Sequence, residues 1–182
     1  MPPIETHSIL IAITAPDRVG LISTITARLF DLGINLADTS FAVLGSGCEF
    51  TCVAQAPVEV SVKDVKNELV ELDVLKGADI SVSAYRYQPG HAESARVTHR
   101  ISVGGGDRPG LIARLSEVFV EFDANVVRMN STRNELKSGE AVYRTCFDIS
   151  IPEARAASCL AAVSNTAGQL NLDCSCQRLQ EE

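Results

Sequence analysis

Asp17-Arg18-Val19-Gly20 and, 90 residues later, Asp107-Arg108-Pro109-Gly110 each place a carboxylate, a guanidinium and a glycine within four residues, directly ahead of Leu21-Ile22 or Leu111-Ile112. A guanidinium makes charge-assisted contacts to a carboxylate, a carboxylate accepts from an ammonium group, and a glycine lets a ligand come close to the main chain. Asn35 and Asn125 recur at the same offset. Each residue also has a plainer use. Asp17 and Asp107 suit helix capping, worth about 1 kcal/mol. Arg18 and Arg108 suit a solvated surface or an interface ion pair, Gly20 and Gly110 suit backbone geometry or close helix packing, and Asn35 and Asn125 suit the turn after a helix.

Other reactive side chains form weaker patterns. Cys174-Ser175-Cys176 directs two thiols to one face of a strand, and Cys48 and Cys52 share a face in extended geometry. Neither spacing is the C-x2-C knuckle of structural zinc, so the cysteines read as core or surface thiols and no metal site is assigned. His7, His91 and His99 stand apart from one another, and Gly104-Gly105-Gly106-Asp107 is not a dinucleotide-binding G-x-G-x-x-G. No nucleophile with its base, carboxylate dyad or metal cluster recurs in the matching parts, so no catalytic residue and no cofactor is expected.

The elements that position the two motifs follow from periodicity. Ile9, Ile11 and Ile13 alternate ahead of the first motif, as do Val97, His99, Ile101 and Val103 ahead of the second, which predicts strands. Behind the motifs, Leu21, Ile22, Ile25, Leu29 and Leu32, and then Leu111, Ile112, Leu115, Val118, Phe119 and Phe122, fall on one helical face. Each motif therefore sits at a strand-to-helix turn. Gly33 reads as the helix C-cap, 36–43 as a strand, Gly45-Ser46-Gly47 as a hairpin turn and 49–55 as a third strand. Ser61-Val62-Lys63-Asp64 is a capping-box pattern opening a second helix with Val62, Val65, Leu69 and Leu72, ended by Gly77, before a strand alternating Ile80, Val82 and Ala84.

The order is β-α-β-β-α-β, and the second copy repeats it with a longer hairpin around 134–140, Pro152 at the start of its second helix and a last strand over 171–179. The fold class is thus α+β: two tandem ferredoxin-like βαββαβ modules with antiparallel sheets, over 1–88 and 97–182, joined by a polar linker over 89–96. In the second copy Gly104-Gly105-Gly106 stands where the first has Thr14-Ala15-Pro16, which predicts a more flexible, less shielded turn. Pro109 presets a helical φ in the first turn where Val19 does not. Helices on one face of each sheet leave edges and a second face in search of partners, so the modules are expected to pack together and the chains to form a homodimer.

Sixteen basic against twenty-three acidic side chains give a net charge of -7, which opposes binding to a phosphate backbone, so direct nucleic-acid binding is not expected. No apolar run reaches membrane-spanning length and the N-terminus does not resemble a secretory signal, which points to a cytoplasmic protein without membrane contact. In that compartment the six cysteines stay reduced.

Asp-Arg-x-Gly-Leu-Ile at the first strand-helix turn, an asparagine about 15 residues on and the β-α-β-β-α-β order resemble the ACT domain family of small-molecule regulatory modules. A bare tandem pair of this length also resembles the transcriptional repressors of the glycine cleavage system and their relatives. The resemblance implies an amino acid, glycine or serine first, held at an interface between modules by Asp17, Arg18, Val19, Gly20, Asn35 and by Asp107, Arg108, Pro109, Gly110, Asn125. It further implies a protein partner, a transcription factor or, alternatively, a metabolic enzyme of which the chain is a detached regulatory subunit. The unpaired N–H groups and partial positive charge of a helix N-terminus suit the ligand carboxylate. With about 1.5 kcal/mol per heavy atom as a ceiling, glycine reaches about 7.5 kcal/mol, or low-micromolar affinity, at best.

Overall fold

The computed structural model describes residues 5–87, 90–106, 109–135, 139 and 141–179. It divides into two compact units, Met1–Tyr87 and Gln88–Glu182. The first runs β1 (Thr6–Pro16), α1 (Leu21–Asp31), β2 (Asn35–Leu44), β3 (Gly47–Pro57), α2 (Val62–Val70), a 3-10 turn (Asp73–Leu75) and β4 (Asp79–Ala84). The second runs a 3-10 turn (Glu93–Ala95), β5 (His99–Gly106), α3 (Leu111–Glu121), β6 (Asn125–Glu135), β7 (Ala141–Ser150), α4 (Glu153–Gln169) and β8 (Asp173–Arg178). Strand orders are β2-β3-β1-β4 and β6-β7-β5-β8, with every pairing antiparallel. These are the two βαββαβ modules expected from the repeat.

The alternation ahead of each motif does what period two requires. Ile9, Ile11 and Ile13 on β1, and His99, Ile101 and Val103 on β5, are buried on the face that carries the helices, whereas Val97 lies before the strand begins. Leu21, Ile25 and Leu29 of α1, with Val65 and Leu69 of α2, close the first core over Phe50 and Cys52. Leu111, Leu115 and Phe119 of α3, with Cys159, Val163 and Ala167 of α4, close the second over Phe147 and Ile149. Ile22 departs from expectation: it is 43 % exposed, because the buried stripe is narrower than the apolar pattern.

Helix ends show which local signals hold. Ser61 and Asp64 form the capping box reciprocally, the Asp64 N–H donating to Ser61 Oγ at 3.2 Å and the Ser61 N–H to Asp64 Oδ2 at 3.0 Å. Gly33, at φ 72°, follows α1 in the left-handed region, and the Ile34 N–H returns to the Leu29 carbonyl at 3.0 Å. Asp123, at φ 54°, takes the equivalent place after α3, where an ion pair with Arg155 of α4 holds its side chain. Gly77 does not end α2, which stops at Val70. The 3-10 turn intervenes, and Gly77, at φ 82°, serves the entry to β4.

The glycine run of the second module is also not a loose turn. Gly104, Gly105 and Gly106 complete β5, paired with Arg144, Tyr143 and Val142. A Cβ on Gly105 would stand 2.6 Å from Leu172 Cδ2, so glycine there admits a core side chain against the strand. Both modules also share a feature that no local signal announces. The ladder shifts register by one residue early in β2, between Leu36 and Thr39, and early in β6, between Val126 and Arg128.

Across β5 and β7, the Arg100 Nε donates to Asp148 Oδ1 at 2.6 Å and its Nη2 to Oδ2 at 3.0 Å. Asp148 is nearly buried, and the Arg100 guanidinium holds its carboxyl below the usual carboxylate range. A depressed folded value means that the pair's stabilisation is complete above the unfolded value of about 3.9 and fades as pH falls through the folded one. Arg100→Leu is accordingly expected to lower stability at neutral pH, by less than the loss of a fully buried pair because the guanidinium is half exposed. Urea midpoints of wild type and variant should converge at acid pH; an equal gap at both pH values would contradict the assignment. Among the described residues no helix is long and apolar enough to cross a membrane.

Candidate functional site

Each motif turn is built by the end of a sheet's inner strand. After β1 ends at Pro16, the Asp17 N–H donates to the carbonyl of Ser46 at 3.2 Å, tying the turn to the β2–β3 hairpin. The chain reverses at Gly20, φ 88°, which is the N-cap of α1, and Gly110 repeats this at φ 84° before α3. An L-residue in that conformation costs about 1–2 kcal/mol. Space is not the reason for glycine: among the described residues a Cβ on Gly20 would meet only Ser23 Oγ at 3.8 Å, and one on Gly110 nothing within 4 Å. Close helix packing is therefore set aside for both, and the main chain on that side stays open.

The helix starts contrast within each module. α2 carries its capping box, and α4 has Glu153 in its first turn. Among the described residues α1 and α3 have no side-chain cap, as is also true of α4, and they have no acidic residue in the first turn. The N–H groups of Ile22 and Ser23, and of Ile112 and Ala113, belong to the first turn and have no helical carbonyl to pair with. Asp17 thus does not cap α1. It lies three residues before the N-cap, and the αL reversal at Gly20 separates it from the first turn.

Arg18 is not a free surface charge, and among the described residues it forms no ion pair. Its Nη1 donates to the carbonyls of Asp73 and Val74 at 3.4 and 3.3 Å, and its Nη2 to that of Lys76 at 3.4 Å. It clasps the 3-10 turn to the motif turn, a partner that a local pattern does not disclose. Val19 is fully exposed. Pro109 is exposed and precedes the N-cap, so it shapes the turn and is not the first helical residue. Asp107 and Arg108 lie outside the described residues.

Asn35 and Asn125 do not join the turns in their own modules. Asn35 is the first residue of β2, paired with Gln55, which faces Ser8 near the start of β1. Eight residues of β1 separate that level from Pro16, roughly 26 Å at about 3.3 Å per residue. Asn125 pairs with Ser150 at the corresponding end of its sheet, and its Nδ2 donates to the Ser94 carbonyl at 2.8 Å. Within one module, a ligand the size of glycine cannot span turn and asparagine together. Nor do the asparagines make the reversal after the helix, which Gly33 and Asp123 accomplish.

Among the remaining candidates, His99 is a core residue whose ring Nδ1 contacts Thr98 Oγ1 at 2.9 Å, and burial lowers its pKa. Cys48, Cys52 and Cys159 are buried, as core thiols should be. Cys174 and Cys176 differ from these: their sulfurs stand 3.9 Å apart at the exposed edge of the second sheet. Their mutual hydrogen bond draws the Cys176 thiol down to about 7 and pushes the Cys174 thiol up. The alternation of Cys174 and Cys176 was visible in the sequence; their contact depends on side-chain orientation.

Comparison with known proteins bears on the fold. Residues 99–164, from the start of β5 into α4, match the family model described as ACT domain. No curated protein sequence matches the chain. Among solved structures, an unknown protein from Galdieria sulphuraria superposes with a TM-score of 0.75 at 19 % identity, over 97 % of this chain and 100 % of that one. A provisionally assigned glycine cleavage system transcriptional repressor superposes with a TM-score of 0.68 at 12 % identity, over 97 % and 99 % of the two chains. The chain is thus folded as a tandem pair of βαββαβ modules, the second of which matches the ACT domain in sequence.

Proposed function

We propose that the protein is a non-catalytic, amino-acid-responsive regulator in which the N-termini of α1 and α3 take the ligand carboxylate. One observation carries this reading: among the described residues the two helices that follow the motif turns start with neither a side-chain cap nor an acid in the first turn, whereas α2 has a capping box and α4, itself without a side-chain cap, has Glu153 in its first turn. Unpaired N–H groups and the helix dipole favour a carboxylate there. The left-handed glycine keeps the approach free of side chain. Asp17 stands within the same turn to hold the ammonium group, with Asp107 in the equivalent sequence position. Arg18 contributes by fixing the turn against the 3-10 turn, Val19 and Pro109 flank the bend, and Asn35 and Asn125 belong to the far end of each sheet.

Glycine and serine are the first candidates, since a backbone cradle open at the glycine excludes neither. Ligand binding shifts the population of two packings that differ in affinity for a protein partner. The provisional assignment of the superposed repressor favours a transcription factor as that partner, and the net charge of -7 favours contact with protein over contact with DNA. A metabolic enzyme is the alternative; a pull-down from native extract that recovers an enzyme in place of a transcription factor reverses the order. Homodimerisation and a cytoplasmic location belong to the same proposal.

Calorimetric titration tests it with a charge placed where the ligand should sit. Ser23→Glu and Ala113→Glu put a carboxylate in each first turn, which favours the helix itself while competing for its N–H groups. The double variant should remain folded and bind glycine or serine more weakly by roughly an order of magnitude. Undiminished binding in the folded variant refutes the site, and absence of heat with every common amino acid refutes ligand sensing.

A further inference from the structure

Cys174 and Cys176 occupy β8, the edge strand of the second sheet, beyond the residues 99–164 that match the ACT domain. Their cross-strand partners, Val103 and Ile101, are core residues, so both thiols project to the helix-bearing side of the sheet. Cys174 is half-buried and Cys176 exposed, with their sulfurs in contact. The pair is thus reachable from solvent.

The sulfur separation discriminates between the chemistries open to a dithiol. Two metal–sulfur bonds of about 2.3 Å span about 3.8 Å at the tetrahedral angle and about 4.0 Å at the trigonal one. The observed 3.9 Å lies between them. A disulfide would instead draw the sulfurs together by about 1.9 Å, to a bond of about 2.05 Å. Same-face neighbours on a strand are about 6.6 Å apart along the chain, near the upper limit of the Cα span that a disulfide bridges. β8 is also restrained along its length, paired with β5 from Asp173 to Arg178. Chelation requires almost no movement, whereas oxidation to a disulfide requires the strand to yield.

We propose that Cys174 and Cys176 form a bidentate thiolate site for a thiophilic d10 divalent cation of the Zn2+ and Cd2+ class. On binding, each thiol releases its proton to solvent and both sulfurs bond the metal, so the two negative charges balance the cation. Among the described residues no third His, Cys, Asp or Glu completes a cluster, so the remaining coordination positions open to water or a small exogenous ligand. The site is separate from the motif turns and does not depend on the proposed amino-acid binding.

Cadmium titration of the full chain, reduced with a phosphine in place of a thiol, tests this through the ultraviolet thiolate-to-cadmium charge-transfer band. The band should saturate at one ion per chain and be lost in both Cys174→Ser and Cys176→Ser, while Cys146→Ser and Cys159→Ser retain it. Bound cadmium should also protect Cys176 from alkylation by iodoacetamide, read by mass spectrometry on the wild-type chain. A band that survives either serine substitution, no saturable band, or spontaneous closure of a Cys174–Cys176 disulfide in place of metal uptake overturns the proposal.

Discussion

Gly105→Ala is expected to destabilise the second module by about 3 kcal/mol, far more than an alanine on an open strand. Two effects add. The new methyl would lie 2.6 Å from Leu172 Cδ2, with Leu172 Cα and the Asn171 carbonyl close behind, and the residue holds φ 154°, where alanine is strained. Leu172 is part of the core and cannot swing away without leaving a void. Equilibrium urea denaturation should show the loss, with hydrogen exchange locating it in β5, α3, β7 and α4. A wild-type midpoint would mean that Leu172 yields freely and that the glycine serves another purpose. Because β5 delivers the chain to the turn before Gly110, the same substitution should loosen the start of α3.

A still larger loss, about 4 kcal/mol, is expected for Phe147→Ala. Phe147 on β7 meets Phe119 on α3 edge-on, with ring centroids 5.2 Å apart and planes at 70°, and neither is exposed to more than 1 %. Truncation removes buried apolar area and the aromatic contact that seats α3 on the sheet, and leaves a cavity that the flanking strands cannot collapse to fill. Phe147→Leu should cost less than half as much, since it keeps most of the volume. Equal losses for alanine and leucine would contradict a packing role and point to the ring itself.

The parts of this fold that were legible in the sequence are those fixed by neighbours along the chain. Ile9, Ile11 and Ile13 alternate, Ser61 and Asp64 close a capping box, and Gly45-Ser46 joins β2 to β3, each decided within a few residues. The matched offset between Gly20 and Gly110 is real at atomic level, both being left-handed N-caps of 11-residue helices. What escaped depends on partners distant in sequence. Gly104-Gly105-Gly106 resembles a loop until Leu172 is seen against it, and Arg18 resembles a surface charge until the carbonyls of Asp73, Val74 and Lys76 are brought to it.

The placement of Asn35 is instructive for the site. Its repeat at Asn125 suggested a shared pocket with the motif turn. Yet α1 runs back along the sheet, so the strand that follows must begin at the opposite end from the turn that precedes the helix. The repeat thus marked two structural stations of each module. Direction of travel, which spacing alone does not carry, separates them.

Whether the uncapped starts of α1 and α3 receive the carboxylate of a small amino acid is tested most directly by amide chemical shifts during titration with glycine and with serine. Saturable shifts should centre on Leu21 to Thr24 and on Leu111 to Arg114, and acids placed at Ser23 and Ala113 should suppress them. Shifts that saturate elsewhere, or spectra that stay unchanged up to millimolar concentrations of every common amino acid, would contradict the account.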